Sequence, residues 1–130
     1  MRYTQTKYHN KKVVVDGIEF DSQKEGHRYK ELRLMERAGK INQLRLQVPF
    51  ELIPNQYETV TVQLKTKTKQ VQKLVERKVE YVADFVYNDL ESGETVVEDV
   101  KGYRLGGAYA IFQIKRKLML QVYGIKVREI

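Results

Sequence analysis

The chain has 130 residues, with 24 Lys+Arg against 17 Asp+Glu, a formal charge of +7, 42% hydrophobic residues, two histidines and no cysteine. This composition fits one domain with its own core and excludes a disordered tail, a disulfide framework, a Cys-based zinc site, a His-rich metal site and a thiol nucleophile. No run approaches the roughly 18 apolar residues of a membrane span, and MRYTQTKYHNKK lacks the apolar stretch of a signal peptide, so a cytoplasmic location and no membrane partner are expected.

In chain order, KKVVVDGIEF sets two short apolar runs around Asp16-Gly17 and predicts a tight hairpin. A helix is predicted over 22–38. Ser22 and Glu25 form a capping box, Tyr29, Leu32 and Met35 recur at helical spacing, and Gly39 ends it. LRLQVPFELIP alternates as a strand, with Pro49 arguing for an edge or a bulge, and Pro54-Asn55 turns the chain. YETVTVQLKT alternates again, whereas KTKTKQVQK reads as a basic, projecting hairpin loop. KVEYVADFVYND and ETVVEDVKG, joined through Glu91-Ser92-Gly93, form a second hairpin. A loop around Gly106-Gly107 leads to a second helix from near Ala108, with Ile111, Ile114, Leu118 and Val122 on its apolar face and Gly124 at its end. IKVREI closes the chain as a strand. The expected class is α/β in the broad sense, more narrowly α+β: a hairpin, a helix, an antiparallel meander of three or four strands, a helix and a strand.

Charge is unevenly distributed. Residues 1–15, 59–79 and 101–128 are basic, whereas 80–99 holds Glu80, Asp84, Asp89, Glu91, Glu94, Glu98 and Asp99 with no Lys or Arg. A simple polyanion binder gains nothing from such a centre, because carboxylates repel phosphates. Asp84 interrupts the apolar run from Tyr81 to Tyr87, where an unpaired carboxylate is costly. Strand alternation puts Asp99 and Lys101 on one face and Glu98, read as structural, on the other. Across a hairpin Asp84 and Asp99 become neighbours, and two adjacent carboxylates call for a hard divalent cation, Mg²⁺ or Mn²⁺.

Asp84 followed by Asp99-Val100-Lys101, a preceding helix with Glu25 and a following basic helix together resemble the PD-(D/E)XK nuclease superfamily. FDSQKEGHRYKELRLMERAGKI, YVADFVYND, VVEDVKG and IKRKLM are most similar to small phage and prophage proteins, and more distantly to archaeal Holliday junction resolvases and a transposon endonuclease subunit. Ala83 stands where the superfamily name has Pro. The resemblance covers about residues 20–130, leaving 1–19 as a basic arm and hairpin. It implies a restriction-endonuclease-like core and a metal-dependent DNA endonuclease in a bacterial host cell, acting in phage recombination or replication. Asp84, Asp99, the Val100 carbonyl and Glu25 would hold the metal, and Lys101 would act on the nucleophile. Gln47 matches a position that lies near the scissile phosphate in some relatives, and is not counted among the site residues.

Other assignments follow from the residues. Glu25 also fits a plain capping role, and its i, i+4, i+7 spacing with Tyr29 and Leu32 starts the stripe that faces the sheet. A second acid-x-Lys, Glu76-Arg77-Lys78, reads as a charged face, and His9 and His27 as surface residues. Lys65, Lys67, Lys69, Tyr103, Arg104, Lys115 and Lys117 are the expected DNA contacts, with Tyr109 flanking the glycine loop beside Tyr103. Two cut strands require two sites, hence an expected homodimer. Two readings without catalysis stay open: a nucleic-acid-binding module on the same core, and a phage packaging or replication accessory.

Overall fold

The computed structural model describes residues 11–130. The first ten residues of the expected basic arm, with Arg2, Lys7 and His9, lie outside the described residues. The fold is α+β. Strands β1 (Val13–Val15) and β2 (Ile18–Phe20) form the predicted hairpin, with Asp16 at φ 51° and Gly17 at φ 77° supplying the left-handed pair that a two-residue turn demands. Helix α1 (Gln23–Arg37) begins where the Glu25 amide donates to Ser22 Oγ at 3.1 Å, and it stops at Ala38 ahead of Gly39. Its stripe of Gly26, Tyr29 and Leu32 is buried. A Cβ on Gly26 would meet Val13 Cγ2 at 2.7 Å, so the hairpin lies against the helix because this residue is glycine.

The chain continues through β3 (Ile41–Ile53), β4 (Gln56–Gln63), β5 (Thr68–Glu76), β6 (Val79–Asp89), β7 (Thr95–Asp99), α2 (Gly107–Tyr123) and β8 (Arg128–Glu129). The main sheet has the order β3-β6-β7-β8, antiparallel except for the last pair. Parallel pairing of β7 with β8 requires a crossover, which α2 provides. Pro49 sits on the edge strand, the place in a sheet where proline is tolerated. One core packs Tyr29 and Leu32 of α1 against Phe85, Tyr87 and Val96, and the other packs Phe112 and Met119 of α2 against Tyr81, Ala83 and Val97. No helix among the described residues is long and apolar enough to cross a membrane.

Two expectations are corrected. The segment KTKTKQVQK is mostly strand: β5 pairs with β4 from Gln63↔Thr68 to Gln56↔Glu76, and the turn is confined to Leu64–Lys67, closed by the Leu64 amide on the Lys67 carbonyl at 2.8 Å. The apolar face assigned to the second helix is also not the one the core uses. Ile111, Ile114 and Val122 are exposed and Leu118 is half-buried, whereas Phe112 and Met119 are buried. Helix α2 is apolar on two sides, and the bulky pair at i and i+7 fills the space above the small Ala83 and Val97.

The long pair β3–β6 rolls over at one point. Leu44 and Leu46 pack on the α1 side but Val48 and Phe50 on the α2 side, although all four share one parity; on β6, Phe85 and Tyr87 contrast in the same way with Tyr81 and Ala83. The change of face falls at Gln47, which has φ 51°, and at Asp84 opposite it, between the pairs Leu46↔Phe85 and Val48↔Ala83. A left-handed residue within a strand turns the pleat. Asp84 therefore lies where the strand leaves one core for the other.

Candidate active site

The C-terminal end of β7, the roll in β6 and the first turn of α1 meet at one corner. The register Phe85↔Glu98 continues to set Asp84 beside Asp99. Asp84 Oδ2 accepts from the Val100 amide at 2.8 Å and Oδ1 from Gln47 Nε2 at 3.1 Å. Asp99, 6% exposed, is held by Lys101 Nζ on Oδ1 at 2.8 Å and by the Tyr81 hydroxyl on Oδ2 at 2.7 Å. Lys101 Nζ also stands 3.8 Å from the centroid of the Phe112 ring, a cation–π contact that fixes the stem. Lys24 Nζ donates to the Lys101 carbonyl at 2.8 Å and so ties α1 to this corner.

Glu25 takes part in the helix cap that its spacing predicts, with its carboxylate on the Asp21 amide rather than on that of Ser22. Its amide donates to the Ser22 cap, and its carboxylate accepts from the Asp21 amide at 3.3 Å. Burial and then the charge of Asp84 push the carboxyl up from 4.5 to about 7. Asp84 is also raised, first by burial and then by Asp99, against the Val100 amide, which favours its ionised form. Burial, followed by the bond to Asp99, raises Tyr81 and keeps it a donor.

Glu25, Asp84, Asp99, Val100 and Lys101 are thus brought to one place. Among the described residues no group of three or more His, Asp or Glu side chains converges as a ready cage. The donor chemistry nevertheless suits a hard cation: carboxylate oxygens and the Val100 carbonyl, with carboxyls whose ionisation each other's charge opposes. Tyr81, Gln47 and Phe112 join the corner without having been assigned to it. The available signal for Tyr81 was a hydroxyl-bearing residue three positions before Asp84 in an otherwise apolar run.

Glu98 points the other way, as alternation predicts. Fully buried, it accepts from Arg28 Nε at 2.8 Å and Nη2 at 2.6 Å and from the Tyr87 hydroxyl. The remaining basic candidates are dispersed. Lys65, Lys67 and Lys69 are exposed at or beside the β4–β5 turn; Tyr103 and Arg104 follow Lys101 in the loop before α2. Lys117 is exposed and Lys115 half-buried on α2. Arg104 and Arg116 both reach Glu129, at 3.4 and 2.8 Å. The Tyr109 hydroxyl, 2.7 Å from Glu129, joins Arg116 in holding that carboxyl below its ordinary value.

A family model described as a protein of unknown function, DUF1064, matches residues 5–128. Searches of curated proteins and of solved structures return no match.

Proposed function

The chain belongs to the DUF1064 family, described only as of unknown function, and we propose that it is a Mg²⁺- or Mn²⁺-dependent DNA endonuclease of the PD-(D/E)XK type. The observation that carries this reading is the corner where Asp84 and Asp99 lie side by side with Lys101 Nζ 2.8 Å from Asp99. The order α1, antiparallel β3-β6-β7, α2 and β8 supports it, being that of a restriction-endonuclease-like core.

Asp84, Asp99, Glu25 and the Val100 carbonyl would hold the cation, which when bound polarises the phosphodiester and eases ionisation of a water. The protein's own groups do the rest. The Val100 amide and Gln47 fix the two oxygens of Asp84, Tyr81 and Lys101 fix those of Asp99, and the Phe112 ring holds Lys101. Lys101, its ammonium held beside Asp99, would orient the attacking water and offset charge on the phosphorane-like transition state. The water oxygen forms the new bond to phosphorus, the bond to the leaving sugar oxygen breaks, and the proton passes to that oxygen.

Basic residues on the β4–β5 ribbon, the 103–104 loop and α2 would track the backbone, and two copies would cut both strands. A phage or prophage origin and a role in recombination or replication belong to the same proposal. One observation favours the rival reading of a non-catalytic DNA-binding module: both oxygens of Asp99 are already bonded within the protein. A panel of four-way junction, flap, nicked and linear DNA with Mg²⁺ and Mn²⁺ decides. Cation-dependent products on any member support hydrolysis, and binding without products on all of them supports the rival.

A further inference from the structure

Strands β4 and β5 form a two-stranded ribbon of eight register pairs. Every residue in it is exposed except the half-buried pair Val60 and Val71. Eight residues at about 3.3 Å each carry it about 26 Å beyond the Pro54-Asn55 break. A bare ribbon of this kind is marginal in water, so its length is not explained by stability.

The register separates its faces by chemistry. Thr59/Gln72, Thr61/Gln70 and Gln63/Thr68 stack along one face as three consecutive pairs of uncharged hydrogen-bonding side chains. The other face carries Glu58/Lys73, Val60/Val71 and Val62/Lys69, and the turn adds Lys65 and Lys67. Beyond the exposed Tyr57/Leu74 pair at its base, one side thus presents donors and acceptors without charge, and the other side and tip present ammonium groups.

We propose that this ribbon is a sequence-reading arm, its Thr/Gln face lying in the major groove of duplex DNA and its lysines on the flanking phosphates. A two-stranded ribbon fits a groove about 12 Å wide. A Gln amide pairs with the adenine edge, and a Thr hydroxyl and methyl serve bases and the thymine methyl. Lysines at the tip and rim supply the charge complementarity that selects a polyanion over a second copy of the ribbon. The inference rests on DNA being the ligand, as proposed above, but not on hydrolysis.

The test uses the full chain in EDTA, where a cation-dependent nuclease does not cut, and selects bound duplexes from a random pool. The arm predicts a short enriched sequence. Thr61→Val with Gln70→Ala and Gln72→Ala should lower affinity for that sequence about five- to a hundredfold and lower random-duplex affinity far less. Lys65, Lys67 and Lys69 changed to Gln should weaken both and flatten the salt dependence by about 0.9 in log–log slope per lost phosphate contact. Replacement of adenine by 7-deazaadenine should weaken binding, and a minor-groove ligand should not compete.

No enriched sequence, or a preference that survives the Thr/Gln changes, overturns the arm. So does a change in self-association without a change in DNA binding. Cleavage without sequence preference would sink the arm alone, and preference without cleavage would sink the nuclease reading alone.

Discussion

Arg28 on α1 grips the buried carboxylate of Glu98 through a two-pronged contact, Nε at 2.8 Å and Nη2 at 2.6 Å. Arg28 lies one helical turn after Glu25, and Glu98 immediately precedes Asp99, so the contact fixes the acid-bearing turn of the helix over the acid-bearing strand. Arg28→Ala leaves a fully buried carboxylate with Tyr87 as its remaining bonded partner, and should cost about 3–5 kcal/mol in a urea melt. Adding Glu98→Leu to it should recover much of that loss, since the uncompensated charge is what costs. A loss below about 1 kcal/mol in the single variant would show the pair to be solvated.

Glu25 makes stability depend on pH in a defined direction. Its folded-state value of about 7 lies above the ordinary 4.5, so the folded chain holds a proton that the unfolded chain has lost across that window. The stability it supports is complete below pH 4.5, falls as pH rises towards 7 and is flat beyond. In EDTA, the difference between wild type and Glu25→Gln should follow that course, with the variant the more stable at pH 8. Asp84 is raised as well, so the variant keeps part of the slope.

The Tyr81 hydroxyl tests how far the corner depends on a donor that holds Asp99 from within the protein. Tyr81→Phe keeps the ring against Phe112 but deprives Asp99 Oδ2 of its donor. The expected loss is about 1–3 kcal/mol of stability. Cation affinity should fall with it, and a variant with wild-type affinity would place Asp99 outside the metal set.

Gln47 stands in a left-handed conformation within a strand, which costs a side-chain-bearing residue about 1–2 kcal/mol. Both Gln47→Gly and Gln47→Ala remove its bond to Asp84, but only the glycine relieves the backbone. The glycine variant should therefore be the more stable by about 1 kcal/mol, reversing the usual preference in strands. The reverse order in thermal melts would show that the roll in β3 does not depend on this conformation.

Much of this arrangement is legible in the residues. The hairpin at Asp16-Gly17, the Ser22 cap and the Gly39 stop are local devices, read over a few positions. Glu98 and Asp99 separate to opposite faces by alternation alone, and the Asp84–Asp99 adjacency follows from one hairpin. The ribbon was less legible, because KTKTKQVQK has no apolar face to show its period of two. Helix α2 offers two apolar sides, and only the shape of the sheet beneath it decides that Phe112 and Met119 go inward. The change of face at Gln47 and Asp84 defeats alternation across β3 and β6, and Gln47 enters the site through a backbone conformation that no spacing announces.

The central claim is that Asp84, Asp99 and Lys101 form a cation-dependent phosphodiester-hydrolysing centre. Nicking of supercoiled plasmid, measured with Mg²⁺, with Mn²⁺ and with EDTA alongside DNA affinity, tests it most directly. Wild type should nick only with the cation; Asp84→Asn and Asp99→Asn should abolish nicking, and Lys101→Met should slow it by about 10²–10³, all three with DNA binding retained. Nicking that persists in the two Asn variants, or wild-type protein that binds DNA and leaves every plasmid intact with either cation, would contradict it.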